Sequence, residues 1–427
     1  MQIPVNVRDD GDAHRRRATL AQRVGFIVLG VVWVVSGFLL WRTKVPRLDL
    51  PALDPRAYFS ADGLERIADY RRGTRILLGA SLAVEVAVLT LFVWKSGAVA
   101  DALGGVVRGR IRTGVAVGLA LTLALWLATA PLGAVSHWWR RRYGLSEQGY
   151  AGWLRDSGVS LGIRVVLVAA VVAAVLFLAG RLGASWWLAG APALVAAAIV
   201  LVLAQPLVIQ PLFNRFEPIR DRALAIDIEA LAARLGVHVD TVQVADASRR
   251  TTAGNAYVAG IGPTRRVVLY DTLLDGRFDR AEILSVSAHE LAHVGRLHLW
   301  KGLAWFALLA VPGVFLVAWV TERRGGLVEP RLVPLGLALA FAFFLLTLPF
   351  QNAVSRRYEA EADWLALEAT QDPDSAVSLD RRLVLTNLAD PNPPSWYTFW
   401  LGTHPAPIDR IAMAVAFRSR EAAPAGS

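Results

Sequence analysis

The sequence contains one short pattern whose residue types and spacing suit metal-dependent hydrolysis. His289, Glu290 and His293 form an H-E-x-x-H pattern within the stretch from Ala281 to Trp300. Residues four apart lie on the same face of an α-helix, so the two imidazoles could bind one cation. The carboxylate of Glu290 would then stand beside the metal and could accept a proton from a water molecule. The residues before the pattern are apolar and periodic, which predicts one helix over the whole stretch.

A second group of carboxylates could complete such a site. An H-E-x-x-H zinc site needs one more protein ligand and leaves its fourth position open. Glu359 and Asp363 are four residues apart in a helical pattern. We assign Glu359 as the third ligand and Asp363 as a residue that orients a ligand imidazole, with Asp363 as the alternative ligand. Glu361 lies about 200° from Glu359 around the helix and is predicted to face solvent. A plain charged, solvated helix is the alternative interpretation of all three carboxylates.

The composition places the chain in a membrane. Of its 427 residues, 55% are hydrophobic, and the mean hydropathy is +0.43, which is too apolar for a soluble chain of this size. The sequence has no cysteine, which excludes disulfides and thiolate ligands. The net charge of +10 comes from basic residues scattered between apolar runs. That distribution favours contacts with lipid headgroups, and we expect no nucleic-acid partner.

Seven apolar segments are long enough to be membrane helices. They are predicted at residues 24–41, 76–94, 113–139, 164–180, 186–209, 302–320 and 332–353. The first could instead belong to a cleaved signal peptide, which would leave six spans, but its Trp41-Arg42 end favours a retained span. Seven spans place residues 210–301 and the C-terminal region on the same side. Basic loops favour a cytoplasmic catalytic side, whereas the cluster Arg15-Arg16-Arg17 argues against it.

Residues 210–301 form the longest segment outside the apolar runs, and we expect a small α+β catalytic insert there. The pattern predicts an amphipathic helix at 221–235, a strand at 237–244 and a hairpin of strands at 255–258 and 266–270. An edge strand beside a zinc helix suits a peptidase, because it can hold an extended substrate by backbone pairing. The expected divisions are 1–209, 210–301, 302–353 and 354–427. Residues 414–427 are predicted to be disordered.

Several separate motifs resemble those of the type I CAAX prenyl endopeptidases and their bacterial relatives, which are integral-membrane zinc metallopeptidases. In chain order the motifs are 142–145, 210–216, Asn255-Ala256-Tyr257, 268–274, the H-E-x-x-H pattern, 355–359 with Asp363, and Thr403-His404-Pro405-Ala406-Pro407 with Arg410. Ala406 departs from the Pro that the family more often has there. The heat-shock-induced membrane metallopeptidases are also similar, but they have fewer spans.

The resemblance implies a fold and a set of roles. The fold would be mainly α-helical and polytopic, with about seven transmembrane helices enclosing a chamber that the zinc site faces. His289, His293 and Glu359 would bind one Zn²⁺, and Glu290 would act as general base and then as proton donor. Asn255, Ala256 and Tyr257 would bind the substrate backbone. His404 would stabilise the oxyanion, with Arg410 supporting it, although His404 could also be an ordinary loop histidine. His298 is interpreted as a structural or interface residue.

The sequence therefore predicts a membrane-embedded zinc endopeptidase. We expect a monomer in a bacterial inner or plasma membrane, with the bilayer and a peptide or membrane-protein substrate as partners. CAAX-type processing is implied by resemblance, but the composition looks bacterial and most bacteria do not prenylate proteins, so the native substrate stays open. A transporter or channel and a catalytically silent scaffold are the alternatives. Neither explains an intact H-E-x-x-H pattern together with a distant Glu-x-x-x-Asp.

Overall fold

The computed structural model describes residues 30–422, and this part of the chain is mostly helical. Residues 24–29 of the first predicted span and the cluster at 15–17 lie outside the described residues. The helices are α1 (Gly30–Trp41), α2 (Ala61–Trp94), α3 (Ser96–Val106), α4 (Arg110–Arg142), α5 (Tyr150–Leu182), α6 (Trp187–Ala204), α7 (Arg222–Arg234), α8 (Arg280–Gly295), α9 (His298–Glu322), α10 (Val333–Thr370), α11 (Pro373–Thr386), α12 (Ser395–Leu401) and α13 (Pro407–Ala422).

In the part of the chain that the structure describes, the predicted membrane spans fall on helices. Within residues 30–422, six helices are long and apolar enough to cross a bilayer, namely α2, α4, α5, α6 with its continuation to Leu212, α9 and α10. The described part of α1 is apolar but shorter. The prediction of a mainly α-helical, polytopic membrane protein is therefore confirmed, while the enclosed chamber stays a prediction.

Two membrane helices extend well beyond their apolar segments. Helix α2 begins at Ala61, where the Ser60 hydroxyl accepts a hydrogen bond from the Gly63 backbone N–H at 3.2 Å, and α5 begins at Tyr150. The residues between the predicted spans at 42–75 and 140–162 are therefore helical from Ala61 and from Tyr150 onward, which the apolar pattern did not predict. Hydropathy detects only the part of a helix that faces lipid. The polar extension of α2 instead buries Ile67 against C-terminal residues such as Ile411.

The insert contains a four-stranded sheet in the order β1-β2-β4-β3, with strands β1 (Phe216–Pro218), β2 (Thr241–Ala245), β3 (Ala256–Ala259) and β4 (Arg266–Tyr270). The antiparallel pairing of β3 with β4 confirms the predicted hairpin. Helix α7 confirms the amphipathic helix, with Asp221 as its N-cap. Strand β1 and the parallel pairing of β2 with β4 were not predicted. Strand β3 lies at the edge of the described sheet and packs beside α8.

The stretch from 281 to 300 is two helices, so the prediction of a single helix was wrong. Helix α8 ends at Gly295, and α9 begins at His298. Leu297 between them has a φ of 56°, in the left-handed region that ends an α-helix. A Cβ at Gly295 would lie 2.9 Å from the carbonyl oxygen of Leu235. The chain therefore passes too close to the end of α7 for any larger residue at this position.

Helix α10 joins the last membrane span to the C-terminal part of the fold. It runs unbroken from Val333 to Thr370 and so carries both apolar residues and Glu359. Helix α13 packs against it, with the ring of Phe417 5.3 Å from that of Trp364. Ala414 and Phe417 are buried, so the prediction of disorder was wrong for residues 414–422. Their apolar faces have a partner helix that the tail sequence alone does not reveal.

Candidate active site

Side-chain hydrogen bonds fix the N-terminus of α8, upstream of the H-E-x-x-H pattern. Asp279 and Glu282 form a capping box, in which the backbone N–H of each residue donates to the side-chain carboxylate of the other at 2.9 Å. Glu282 is fully buried and also accepts hydrogen bonds from Ser378 Oγ at 2.5 Å and Arg382 Nε at 2.8 Å. Because both donors lie on α11, α8 is held against the C-terminal region at one end while its other end presents the histidines.

The three predicted ligands converge on one point. Nε2 of His289 lies 3.1 Å from Nε2 of His293. Oε2 of Glu359 lies 3.3 Å from the first of these atoms and 3.5 Å from the second. The three ligand atoms therefore lie within 4.8 Å of one another, close enough to share one metal ion.

The separations fit a tetrahedral ion. Ligand atoms about 2.05 Å from a zinc ion at tetrahedral angles are about 3.3 Å apart, close to the observed 3.1, 3.3 and 3.5 Å. Among the residues that the structure describes, Oε2 of Glu359 is also buried without a hydrogen-bond partner, and such an atom is costly unless something satisfies it. The donor set of two imidazoles and one carboxylate therefore fits zinc with a position left open.

The outer nitrogen of His289 is backed by a carboxylate. Its Nδ1 lies 2.8 Å from Oδ1 of Asp363, which Arg410 contacts through two hydrogen bonds. Nη1 of Arg410 lies 3.1 Å from Oδ1 of Asp380, a buried residue that the sequence analysis did not identify. Burial opposes the charge on Arg410, but Asp363 and Asp380 outweigh it and hold the pKa of the guanidinium above its usual value.

Glu361 is fully buried, so its predicted solvent-facing position was wrong. Its carboxylate accepts hydrogen bonds from Arg296 Nε and the Lys44 backbone N–H, both at 2.8 Å, and contacts His298 Nε2 at 2.9 Å. The rotation around α10 was estimated correctly relative to Glu359. The error arose because the segment after α1 and the start of α9 cover the opposite face of the helix.

Glu290 and His404 both lie beside the three predicted metal ligands. Burial raises the pKa of the Glu290 carboxyl above its ordinary value, and the adjacent His289 and His293 oppose that rise. Nε2 of His404 lies 3.2 Å from Oε2 of Glu359. A cavity of about 330 Å³ adjoins His404 and is also lined by Arg71, Arg75 and Tyr397, among others. His404 is therefore placed between the ligand carboxylate and open space.

The predicted substrate-binding residues lie at the start of the edge strand. Asn255 is exposed, and its backbone carbonyl accepts a hydrogen bond from the Tyr270 N–H at 3.0 Å. Ala256 is buried in the core that contains Leu291 of α8. The Tyr257 ring packs edge-on against that of Tyr270 at 6.3 Å. The segment therefore lies against the helix that carries the histidines, with Asn255 free to contact other molecules.

Comparisons with known proteins match most of this chain. Residues 218–417 match the model of peptidase family M48. Residues 53–215 match the model described as CAAX prenyl protease N-terminal, five membrane helices. A crystal structure of Ste24p from S. mikatae is similar to this chain with a TM-score of 0.72 at 21% identity, covering 90% of this chain and 96% of that one. This likeness shows the shared fold.

Two curated relatives are similar over most of the chain. The uncharacterized metalloprotease YhfN of Bacillus subtilis is 32% identical over 298 residues, which cover 67% of this chain and 70% of the relative. A CAAX prenyl protease 1 homolog of Oryza sativa is 30% identical over 284 residues, 64% of this chain. The match spans 65% of the rice protein, just under two thirds of its length. These matches favour a metallopeptidase over a transporter, a channel or a silent scaffold.

Proposed function

The chain belongs to peptidase family M48 and is a membrane-embedded metallopeptidase, and we propose that it is a zinc-dependent endopeptidase whose metal ligands are His289, His293 and Glu359. The observation that carries the assignment is the set of ligand-atom separations, 3.1, 3.3 and 3.5 Å, which suit a tetrahedral ion. A bound zinc ion would make a water molecule nucleophilic near neutral pH and would polarise the scissile carbonyl.

Glu290 is proposed as the general base. Its carboxylate accepts the proton of the attacking water and then delivers it to the nitrogen of the leaving amine. Its position directly after His289 supports this role, and so does its pKa, which burial raises above the ordinary value. A carboxylate with a raised pKa is a stronger base at neutral pH than an exposed one.

The other predicted residues are proposed to position the reactants. His404 donates a hydrogen bond to the developing oxyanion, supported by its place at the rim of the cavity beside Glu359. Asn255, Ala256 and Tyr257 hold an extended substrate along the edge of β3 with which no other described strand pairs. Asp363 and Arg410 orient His289, and the distance of 2.8 Å between Oδ1 of Asp363 and Nδ1 of His289 supports this.

The proposed substrate is a peptide or a membrane protein. Similar proteins include CAAX prenyl protease 1 homologs, so cleavage near the C-terminus of a prenylated chain is one candidate reaction. Residues 210–301 and 354–427 would carry the site, while 1–209 and 302–353 would hold it at the bilayer. We propose a monomer in a bacterial plasma membrane with the site on the cytoplasmic side and no nucleic-acid partner.

One purified preparation in detergent can test the assignment. Zinc per chain and cleavage of a quenched peptide library are measured for wild type, Glu290→Gln and Glu359→Ala, with and without chelator. Wild type should hold about one zinc and show chelator-sensitive cleavage. Glu290→Gln should keep the zinc and lose nearly all turnover, because only the proton acceptor is removed. Glu359→Ala should lose both, because a ligand is removed.

Glu229→Ala on the exposed face of α7 is the matched control and should resemble wild type. Zinc retained by Glu359→Ala would move the third ligand to Asp363. Turnover of Glu290→Gln near the wild-type rate would overturn the base assignment. Paired peptides with and without a farnesyl group at the same cysteine then decide whether a prenyl group is required.

A further inference from the structure

The outer nitrogen of His293 faces a second histidine. Nδ1 of His293 lies 2.8 Å from Nδ1 of His298. Nε2 of His298 in turn lies 2.9 Å from Oε2 of Glu361. The three side chains therefore form a continuous chain of polar contacts that leads away from the proposed metal site into the protein.

This contact depends on the break between α8 and α9. On a continuous helix, residues five apart are about 140° apart around the axis, so His298 would face away from His293. The left-handed conformation of Leu297, with a φ of 56°, redirects the chain just before His298. A leucine in this region is strained. The strained residue thus stands where the chain must turn to bring the two imidazoles together.

The direction of the hydrogen bonds follows from the metal site. When Nε2 of His293 binds a metal, its Nδ1 must carry the hydrogen and donate it. Nδ1 of His298 must then be the acceptor, which leaves the hydrogen of a neutral His298 on Nε2, opposite Glu361. One arrangement of hydrogens therefore satisfies every contact, and it ends on a carboxylate.

The far end of the chain is firmly anchored. Glu361 has no exposed surface, and Arg296 Nε and the Lys44 backbone N–H each donate to it at 2.8 Å. Nζ of Lys301 lies 3.8 Å away. A buried carboxylate with these partners is held in place as an anion, so it presents a fixed acceptor to His298.

His298 itself is held by stacking as well as by hydrogen bonds. Its ring is parallel to that of Tyr358, with centroids 4.6 Å apart and an interplanar angle of 8°. The Tyr358 hydroxyl donates to the Leu40 carbonyl at 2.7 Å and accepts from Trp305 Nε1 at 3.0 Å. The plane of His298 is therefore set by helices α1, α9 and α10 together.

We propose that His298 and Glu361 are positioning residues that fix the orientation and the tautomer of His293 for metal binding. The two ligand histidines are then supported differently. A carboxylate, Asp363, contacts His289 directly, whereas His293 reaches Glu361 only through the neutral ring of His298. The inference rests on the proposed metal site and concerns how tightly the metal is held.

The experiment measures zinc affinity, by competition with a chelator, on the full chain in detergent. His298→Phe keeps the stacked ring and removes both nitrogens, and zinc affinity should fall about 10- to 100-fold. His298→Asn places a polar atom near the position of Nδ1 and should recover part of that loss. His137→Phe replaces another buried, ring-stacked histidine, which lies on α4, and should bind zinc as wild type does.

Cobalt(II) absorption supplies a second readout, because the visible bands depend on ligand geometry. They should change in His298→Phe and stay unchanged in His137→Phe. If His298→Phe does not fold, Glu361→Gln decides the matter, with an expected loss of about tenfold in zinc affinity. Wild-type affinity in a folded His298→Phe, or in Glu361→Gln, would overturn this inference alone. A wild-type protein that binds no zinc would overturn it together with the proposed function.

Discussion

Arg410 donates two hydrogen bonds to Asp363, from Nε to Oδ2 at 3.0 Å and from Nη2 to Oδ1 at 2.8 Å. Asp363 is one turn of α10 beyond Glu359 and contacts His289. The planar guanidinium fork matches the carboxylate geometry. The two-point contact therefore fixes the rotation of the Asp363 carboxylate, and through it the ring of a proposed metal ligand.

The first prediction is that Arg410→Lys impairs the site although the charge is kept. A lysine offers a point charge and cannot bind both oxygens in a fixed plane. We expect zinc affinity or kcat/KM to fall about 10- to 100-fold, measured by chelator competition and by cleavage at saturating zinc.

Arg418→Lys on the same helix is the control. Its partner Asp374 lies 2.7 Å away, and both side chains are more than half exposed, so the pair contributes little. Equal effects of the two substitutions would show that the fork of Arg410 has no special role.

The second prediction concerns pH. Burial raises the pKa of Asp380 to about 6 from 3.8, with Arg410 opposing the rise and Asp363 adding to it. Between these two values the folded protein binds a proton that the unfolded chain has released. The contribution of Asp380 to stability is therefore largest below about pH 4 and decreases as the pH rises to about 6.

Thermal unfolding in detergent can test this. The Tm of wild type, relative to that of Asp380→Asn, should fall as the pH rises from 4 to 6, because asparagine does not titrate. Asp374→Asn, on the same helix but exposed, controls for the removal of a carboxylate. A difference between wild type and Asp380→Asn that stays constant over this pH range would contradict the raised pKa.

Local periodicity is what made the ligands predictable. His289 and His293 need only a helical turn between them, and Glu359 follows from the requirement for a third ligand. The membrane spans were found for the same reason, since apolar length is a property of one segment at a time. His404 and Asn255 came from resemblance, because an isolated loop residue carries no periodic signal.

The supporting residues depend on which elements cover a given face, and the sequence does not contain that information directly. Glu361 was predicted to be solvated because its neighbours, from the segment after α1 and from the start of α9, are far away in the chain. The contact of His298 with His293 was missed because a single helix through Leu297 would turn the two rings away from each other. Asp380 was missed because it lies on α11 and meets Arg410 only after folding. The signal that the sequence did offer was a carboxylate at an apolar position of an amphipathic helix.

The third prediction concerns the buried anchor of α8. Glu282→Ala removes the acceptor for Ser378, Arg382 and the Asp279 backbone N–H. Arg382 is 40% exposed, so the loss comes mainly from the hydrogen bonds to the buried carboxylate, each worth about 1.5–3 kcal/mol, and Tm should fall substantially. Glu229→Ala, on an exposed surface, should change Tm little. An unchanged Tm for Glu282→Ala would mean that α8 is fixed by its apolar contacts alone.

The fourth prediction addresses the break between α8 and α9 with two substitutions of different expected effect. Gly295→Ala places a Cβ 2.9 Å from the Leu235 carbonyl oxygen, and overpacking against backbone costs about 1–3 kcal/mol. Leu297→Gly removes the strain of a left-handed leucine but adds freedom to the unfolded chain, so stability should change by less than about 1 kcal/mol.

Gly295→Ala should also weaken zinc binding, because the displaced end of α8 carries His293 two residues earlier, whereas Leu297→Gly should retain it. The opposite result would be a loss of zinc affinity in Leu297→Gly and no effect in Gly295→Ala. It would mean that the position of His293 depends on the conformation of residue 297 and not on the packing of α8 against α7.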